Sequence, residues 1–256
     1  MAVMTYKEGS RGAVVALIQK KIGAYPDSVW GPRTTECLKA WQREHGLTAD
    51  GIAGPRTLAA MGISAMSSAT AVNTSAVDSV TACYGGKTIT LRKSRRRIDY
   101  IAIHCTATPE GRDVTVEQIR RDHMRPKSQG GLGASDIGYH LVVYRDGTVH
   151  LGRSMDIAGA HVTGYNTYSI GIAYVGGLEN RPGVAYKDLK AKDTRTDQQK
   201  ASLLSLLMDL RKLYPKAIIQ GHRDFSPDKN HNGIIDPWER IKDCPSFDAK
   251  FAYRNV

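Results

Sequence analysis

The fold is decided by IDYIAIHCTAT at residues 98–108, an apolar and β-branched run that reads as a buried strand reaching a histidine. Two further runs, SIGIAYVGG at 169–177 and KAIIQGH at 216–222, have the same character. GYHLVVYRDGTVHLG at 138–152 is closed by Asp-Gly, which is typical of a β-hairpin. These segments predict several strands of one sheet.

Helices are predicted between these strands. Thr115 and Gln118 form a capping-box pattern before VEQIRRDHM, and Thr196 and Gln199 form another before ASLLSLLMDLRKLYP. Because strands and helices are interleaved, we predict an α+β domain, with a mixed central β-sheet flanked by helices.

A different pattern fills the first sixty residues. DSVWGPRTTECLKAW at 27–41 is echoed by DGIAGPRTLAAMG at 50–62, each with Gly-Pro-Arg-Thr opening a helical stretch. Pro suits the first helical turn, and we expect each Thr to cap nearby backbone amides. With the apolar helical spacing of VVALIQKKI at 14–22, these segments predict a small three-helix domain before the α+β domain.

The two regions are joined by a compositionally simple segment. Of its nineteen residues, 64–82, sixteen are Ala, Ser, Thr or Val, and none is Leu, Ile or aromatic. Such a segment is typical of a linker. We therefore predict a helical domain at 1–63, a linker at 64–82 and a mixed-sheet domain at 83–256.

Charge is the unusual feature of the composition. The 256 residues carry a formal charge of +11, and KTITLRKSRRR at 87–97 holds six basic residues and no acid. A polyanionic partner is implied: nucleic acid, an anionic membrane or an acidic wall polymer. The most apolar stretch, 201–210, is half the length that a bilayer requires, so we expect no membrane insertion. The N-terminus lacks the pattern of a secretory signal, which predicts synthesis in the cytoplasm.

Three residues of the types that bind zinc lie at strand ends or in a loop: His104, His222 and Cys244. Three protein ligands leave a fourth tetrahedral position open, which is the arrangement of catalytic zinc. Their spacing alone does not distinguish ligands from ordinary structural residues. Four cysteines are too few and too scattered to predict a disulfide framework.

The surrounding segments resemble a known family. IAIHCTAT, IGYHLVVYRDGTVHLGR, GAHVTGYNTYSIGIAYVGG, QGHRD and CPSFD together are similar to the type-2 zinc N-acetylmuramoyl-L-alanine amidases, which include phage endolysins and are related to peptidoglycan recognition proteins. The first sixty residues resemble the peptidoglycan-binding domain type 1 family. The resemblance implies hydrolysis of the amide between N-acetylmuramic acid and L-alanine by zinc-activated water.

The same resemblance assigns roles to individual residues. It implies that His104, His222 and Cys244 bind zinc, and that Tyr139 and Lys242 are catalytic. It implies further that the loop carrying His161 and Asn166 lines the substrate groove. We expect His140 and His123 to be structural or surface residues, and Cys105 to face away from the metal because side chains alternate along a strand.

DKNHNGIIDPWE at 228–239 fits the twelve-residue calcium loop of EF-hands, although a strand and turn precede it instead of a helix. The six expected calcium ligands are Asp228, Asn230, Asn232, Ile234 through its carbonyl, Asp236 and Glu239. We predict that calcium here is structural and orders the connection to Lys242 and Cys244. A loop that keeps this turn geometry without holding an ion is the alternative.

The function predicted from these resemblances is that of a modular endolysin that binds and cleaves peptidoglycan. We expect it to be a monomer, made in the host cytoplasm and acting on the cell wall after a holin opens the membrane, with its charge attracting it to the anionic envelope. Two alternatives stay open: a peptidoglycan-binding protein without catalysis, and an amidase that also regulates a polymerase. The basic run has no interleaved aromatic residues, so we expect no nucleic-acid partner.

Overall fold

The computed structural model describes residues 5–24, 26, 29–63, 78–254 and 256. It divides into two compact units, one ending at Arg92 and the other beginning at Lys93. Among the described residues, no helix is both long enough and apolar enough to cross a bilayer.

The N-terminal unit contains three α-helices and a two-stranded hairpin. The elements are α1 (Ala13–Lys21), α2 (Pro32–Glu44), α3 (Pro55–Ala60), β1 (Ser79–Tyr84) and β2 (Lys87–Arg92). The predicted three helices are therefore present. Their shared buried cluster includes Ile18, Trp30 and Leu38.

The threonine of each Gly-Pro-Arg-Thr segment is hydrogen-bonded by a glutamine at the equivalent position of the preceding helix. These glutamines were not singled out from the sequence. Gln19 donates from Nε2 to Thr34 Oγ1 at 3.1 Å. Gln42 donates from Nε2 to Thr57 Oγ1 at 3.2 Å. We expected the threonines to cap backbone amides, but α2 and α3 have no side-chain cap at their first residues. Each Thr instead accepts from a buried glutamine of the preceding helix, which fixes the start of the next one.

The hairpin changes the predicted domain boundary. We predicted that the second domain begins at residue 83, but β1 and β2 belong to the N-terminal unit. Cys83 joins the buried cluster of the helices, its backbone N–H donates to the Gly23 carbonyl at 3.1 Å, and its own carbonyl accepts from Arg33. Of the predicted linker, 79–82 is strand, and 64–77 lie outside the described residues.

The C-terminal unit is built on a five-stranded mixed sheet. Its strands are β3 (Tyr100–Cys105), β5 (Leu141–Val143), β6 (Val149–Leu151), β7 (Ser169–Tyr174) and β9 (Ile218–Gly221), and a separate two-stranded pair is formed by β4 (Thr108–Pro109) and β8 (Gly177–Leu178). The order in the main sheet is β6-β5-β7-β3-β9. β3 is parallel to both of its neighbours, β7 and β9, while β5 and β6 form the predicted antiparallel hairpin.

The helices of this unit are α4 (Val116–Met124), α5 (Asp197–Leu213) and the short α6 (Ala249–Ala252). Short 3-10 helices occupy Lys127–Gln129, Asn166–Tyr168, Tyr186–Asp188, His222–Phe225 and Pro237–Glu239. Both predicted capping boxes are confirmed, at Thr115 with Gln118 and at Thr196 with Gln199. The mixed sheet flanked by helices confirms the predicted fold class.

Candidate metal centre

The three predicted zinc ligands are brought together by adjacent parallel strands. Ile103 of β3 pairs with Gly221 of β9, so the residues that follow, His104 and His222, lie at the same edge of the sheet. Gly221 leaves room for the third ligand, because a Cβ atom there would lie 2.5 Å from Cδ of Pro245. The Cys244 carbonyl accepts from the Arg223 N–H at 2.8 Å, which fastens the cysteine loop beside His222.

The ligand atoms of these residues have the spacing of a metal site. One ligand atom from each of His104, His222 and Cys244 lies within 4.8 Å of the others. Cys244 Sγ is 3.7 Å from His104 Nδ1. A tetrahedral zinc ion with ordinary bond lengths keeps sulfur and nitrogen ligands about 3.6 Å apart. The residues therefore fit zinc, with three ligands and an open fourth position.

The far side of the His104 ring is also engaged. Its Nε2 lies 3.1 Å from Nδ1 of His161. If His104 offers the Nδ1 lone pair to a metal, its proton is on Nε2 and is donated to His161. His161 Nε2 in turn faces Ser169 Oγ at 3.5 Å, and that hydroxyl donates to the Tyr165 carbonyl at 2.8 Å. This chain of contacts holds one tautomer and one ring orientation.

His161 and Asn166, predicted to bind substrate, both make contacts within the unit. His161 is only 8% exposed. Asn166 Oδ1 accepts from the backbone N–H groups of His161 and Val162, at 2.8 and 2.9 Å. The amide oxygen therefore shapes the loop that places the His161 ring behind His104.

Burial sets the protonation of the histidines. The pKa of His104 and of His161 is lowered well below its ordinary value, chiefly by burial. Burial, followed by the nearby Lys242 ammonium, lowers the pKa of His222 to about 4. The rings are therefore neutral at neutral pH, as metal ligation requires.

The Tyr139 ring lies beside that of His104, with the two ring centroids 5.2 Å apart. Burial, followed by the Cys244 and Cys105 thiols, raises the Tyr139 pKa well above its ordinary value. The phenol therefore keeps its proton and is a hydrogen-bond donor. Lys242 is exposed and close enough for its charge to lower the pKa of both His104 and His222.

His123, expected to be a packing or surface residue, packs against Tyr139 and lines the cavity beside it. Its ring centroid lies 5.2 Å from that of Tyr139, and its Nδ1 accepts from the Gly138 N–H at 2.9 Å. The helical spacing of Val116, Ile119 and His123 places all three on the inner face of α4, and this spacing could have predicted the contact. His140 is structural, as predicted: it accepts from the Gly171 N–H at 2.9 Å.

Two adjoining cavities extend from this site along α4. A cavity of about 320 Å³ borders Tyr139, His123 and Tyr186. A second, of about 610 Å³, shares Arg112 and Asp122 with it. Their size suits an extended substrate, and the smaller cavity reaches Tyr139, whose ring lies beside that of His104.

Cys105 does not face away from the metal site, contrary to our prediction. Its Sγ lies 3.8 Å from Cys244 Sγ, and its backbone N–H donates to that same sulfur at 3.3 Å. Alternation gives the direction of a side chain relative to the sheet, but Cys244 approaches beyond the end of β3, where a loop can contact both residues.

The arginines at the end of the basic run make contacts within the C-terminal unit. Arg96 donates to the backbone carbonyls of Met155 and Thr167 at 2.8 and 3.0 Å, and it also contacts Asn166 and Ser169. Arg95 pairs with Asp156 and Arg97 with Asp99. The three consecutive arginines that end the run, Arg95 to Arg97, therefore have partners within the unit, which weakens our interpretation of the run as a free polyanion-binding surface.

A cluster of three histidine and cysteine ligands with an open fourth position is typical of catalytic zinc sites in hydrolases. Residues 94–245 match the N-acetylmuramoyl-L-alanine amidase family, and residues 15–61 match the putative peptidoglycan binding domain. The chain belongs to the N-acetylmuramoyl-L-alanine amidase family. It is a peptidoglycan amidase, and peptidoglycan is its partner.

Phage endolysins and solved amidase structures are similar to this chain. The endolysin of Enterobacteria phage K11 is 38% identical over 156 residues, covering 61% of this chain and 85% of that protein. The endolysin of Escherichia phage T7 is 37% identical over 158 residues, covering 62% and 87%. Among solved structures, the amidase LysCS of Clostridium intestinale is 26% identical with a TM-score of 0.42, covering 61% of this chain and 80% of that one.

Proposed function

We propose that the protein is an endolysin that uses one zinc ion, held by His104, His222 and Cys244, to cut stem peptides from glycan strands. The bond cleaved joins the lactyl carbonyl of N-acetylmuramic acid to the nitrogen of L-alanine. The observation that carries the proposal is the convergence of three ligand atoms within 4.8 Å of one another, inside the region that matches the amidase family.

When bound, zinc supplies Lewis-acid activation of water for attack on the amide carbonyl. The chain's own residues orient the metal ligands and stabilise the negative charge that develops on the carbonyl oxygen. His161 orients the His104 ring through the 3.1 Å contact, so we assign it a supporting role instead of the substrate contact predicted from sequence. Asn166 supports His161 through the loop backbone.

Tyr139 and Lys242 are the proposed catalytic residues. The Tyr139 phenol, kept protonated by burial, donates a hydrogen bond to the carbonyl oxygen as negative charge develops there. The Lys242 ammonium stabilises the same charge from the solvent side. The carbon–nitrogen bond then breaks, and the L-alanine nitrogen leaves as an amine after taking up a proton.

The cellular role is proposed from the relatives, two of which are phage endolysins. The protein is made in the host cytoplasm, reaches the wall after a holin opens the membrane, and lyses the cell. Its helical unit binds the wall and keeps the amidase near its substrate, which raises the effective substrate concentration. We propose that it works as a monomer.

A structural calcium ion at 228–239 is a further part of the proposal. The side-chain amide nitrogens of Asn230 and Asn232 both donate to Asp236 Oδ2, at 2.9 and 3.1 Å. Asp228 Oδ2 accepts from the Gly233 N–H at 2.7 Å, at the turn where the calcium-loop pattern places glycine. Asn230, Asn232 and Asp236 are therefore already held together, but both amides must turn to offer their oxygens to an ion, because those oxygens now accept backbone N–H groups.

Two other features of the loop bear on calcium. Both Glu239 oxygens accept backbone N–H groups, from Lys229 and Asp236 among others, so this carboxylate closes the loop and must turn to bind an ion. Trp238 is exposed beside it. Terbium, a luminescent substitute for calcium, should show tryptophan-sensitised emission that calcium displaces and that Trp238→Phe abolishes. If the wild type shows no sensitised emission, the calcium proposal is contradicted.

The main proposal is tested by digesting purified peptidoglycan and identifying the new chain ends. We expect new free amino groups on L-alanine and intact glycan strands without new reducing sugars. New reducing ends, or amino termini on residues other than L-alanine, contradict the assignment. The Cys244→Ser variant is the control, since it retains the fold but lacks the sulfur ligand.

A further inference from the structure

The cysteine ligand of the proposed zinc site has a second cysteine beside it. Cys105 and Cys244 are 139 positions apart in the chain, yet their sulfur atoms lie 3.8 Å apart. Among the described residues, the cluster with the spacing of a metal site includes Cys244 but does not include Cys105. Cys105 is thus a thiol at the metal site that ligation does not require.

The surroundings hold Cys105 in this position. Its side chain is buried against Gly177, where an added Cβ atom would lie 2.4 Å from Sγ, and its sulfur lies 3.7 Å from Ser246 Oγ. Cys244 is half-buried and Cys105 is buried, so Cys244 is the more accessible cysteine of the pair.

We propose that Cys105 and Cys244 are a redox modification site, at which a peroxide forms a disulfide that excludes zinc. The proposal rests on the zinc site proposed above. Disulfide formation and zinc binding compete because both use the Cys244 sulfur. The two sulfur atoms, now 3.8 Å apart, must approach by about 1.8 Å to reach bonding distance.

The chemistry balances with hydrogen peroxide as the oxidant. The Cys244 sulfur attacks one peroxide oxygen, the oxygen–oxygen bond breaks, and Cys244 sulfenic acid and one water form. The Cys105 sulfur then attacks the Cys244 sulfur, the sulfur–oxygen bond breaks, and a second water leaves. Two thiols are oxidised to one disulfide, one peroxide is reduced to two waters, and a dithiol reductant reverses the change.

Zinc bound to Cys244 protects the pair, because the sulfur lone pair that attacks peroxide is engaged in the metal bond. A chain that meets peroxide before it binds zinc is therefore held inactive until it is reduced. A loaded chain resists the same exposure.

The test compares the full-length protein in its zinc-loaded and chelator-stripped forms, each treated with hydrogen peroxide. Remaining thiols are alkylated, peptides are mapped by mass spectrometry, and zinc uptake is measured separately. In the stripped protein we expect a linked pair of peptides carrying Cys105 and Cys244, with zinc uptake falling at least tenfold and returning after dithiothreitol. The loaded protein should form the link at least tenfold more slowly.

Cys105→Ser is the matched control, because it keeps a small side chain at this position and leaves all three ligands in place. It should bind zinc like the wild type, form no link, and show Cys244 oxidised beyond the disulfide level. The mapping distinguishes this link from any between Cys37 and Cys83 of the N-terminal unit.

Two results overturn the proposal: no Cys105–Cys244 link in the stripped wild type, or a link that leaves zinc uptake unchanged in a protein that binds zinc when reduced. These outcomes are separate from the fate of the proposed function. If the reduced protein binds zinc and cleaves peptidoglycan but forms no link, the thiol proposal is wrong and the enzyme assignment stands. If the link forms but the reduced protein binds no zinc, the thiol pair stands and the zinc site is wrong.

Discussion

Nδ1 of His161 lies 3.1 Å from Nε2 of His104, on the side of the ring opposite Cys244. The contact fixes which nitrogen of His104 is available to a metal. It also explains why His161 is buried although the sequence analysis expected it at the substrate. The proposed metal centre is therefore supported by a third histidine, His161, in addition to the two ligand histidines.

Replacing His161 with alanine should weaken zinc binding by roughly 10- to 100-fold, because His104 loses the acceptor that fixes its tautomer. Competition with a zinc chelator measures the affinity directly. His45→Ala, a change in the N-terminal unit, should leave it unchanged. Equal zinc affinity in the His161 variant and the wild type would remove the supporting role.

Replacing Lys242 with alanine should lower kcat by roughly 100- to 1,000-fold, since the ammonium stabilises charge that develops only during the reaction. KM and zinc content should change little. Lys250→Ala, an exposed lysine on α6, serves as the control. A variant that retains its kcat shows that Lys242 does not take part in the chemistry.

Replacing Arg96 and replacing its neighbour Arg95 should lower the free energy of unfolding by very different amounts. Arg96→Ala removes donors to several backbone carbonyls and should lower the free energy of unfolding by about 3 kcal/mol. Arg95→Ala removes an exposed ion pair and should cost less than about 1 kcal/mol. Denaturant unfolding of the two variants checks this, and similar losses would contradict the structural role of Arg96.

The metal-free protein should lose stability as pH falls from about 6.5, the ordinary histidine value, towards 4. Burial lowers the pKa of His140 to about 4, so in this window the unfolded chain binds a proton that the folded chain does not. The stabilisation is complete above pH 6.5 and is lost below it. His140→Asn should reduce the slope of unfolding free energy against pH, and identical slopes in variant and wild type refute the assignment.

Two of the three proposed ligand positions could be predicted to meet, because they follow from local rules. His104 and His222 follow apolar runs, and the carboxyl ends of parallel strands meet at one edge. The capping boxes at Thr115 and Thr196 could likewise be predicted, because each depends on only four consecutive residues. Cys244 entered through family resemblance, since a loop position has no periodicity that predicts where it lies.

The features that sequence reasoning missed depend on contacts between distant segments. Cys83 packs against helices that precede it by more than forty residues, so the hairpin looked like the start of the next domain. Arg96 appeared to be one charge in a solvated run because its carbonyl partners lie some sixty to seventy positions away. The thiol pair of Cys105 and Cys244 arises in the same way.

The central claim, that one zinc ion at His104, His222 and Cys244 is required for amide hydrolysis, is tested most directly by titrating zinc into stripped protein while recording amidase rate and bound zinc together. The rate should rise in proportion to bound zinc, stop at one zinc per chain, and stay near zero in Cys244→Ser. Full amidase activity in the stripped protein, or in Cys244→Ser without zinc, would contradict the account.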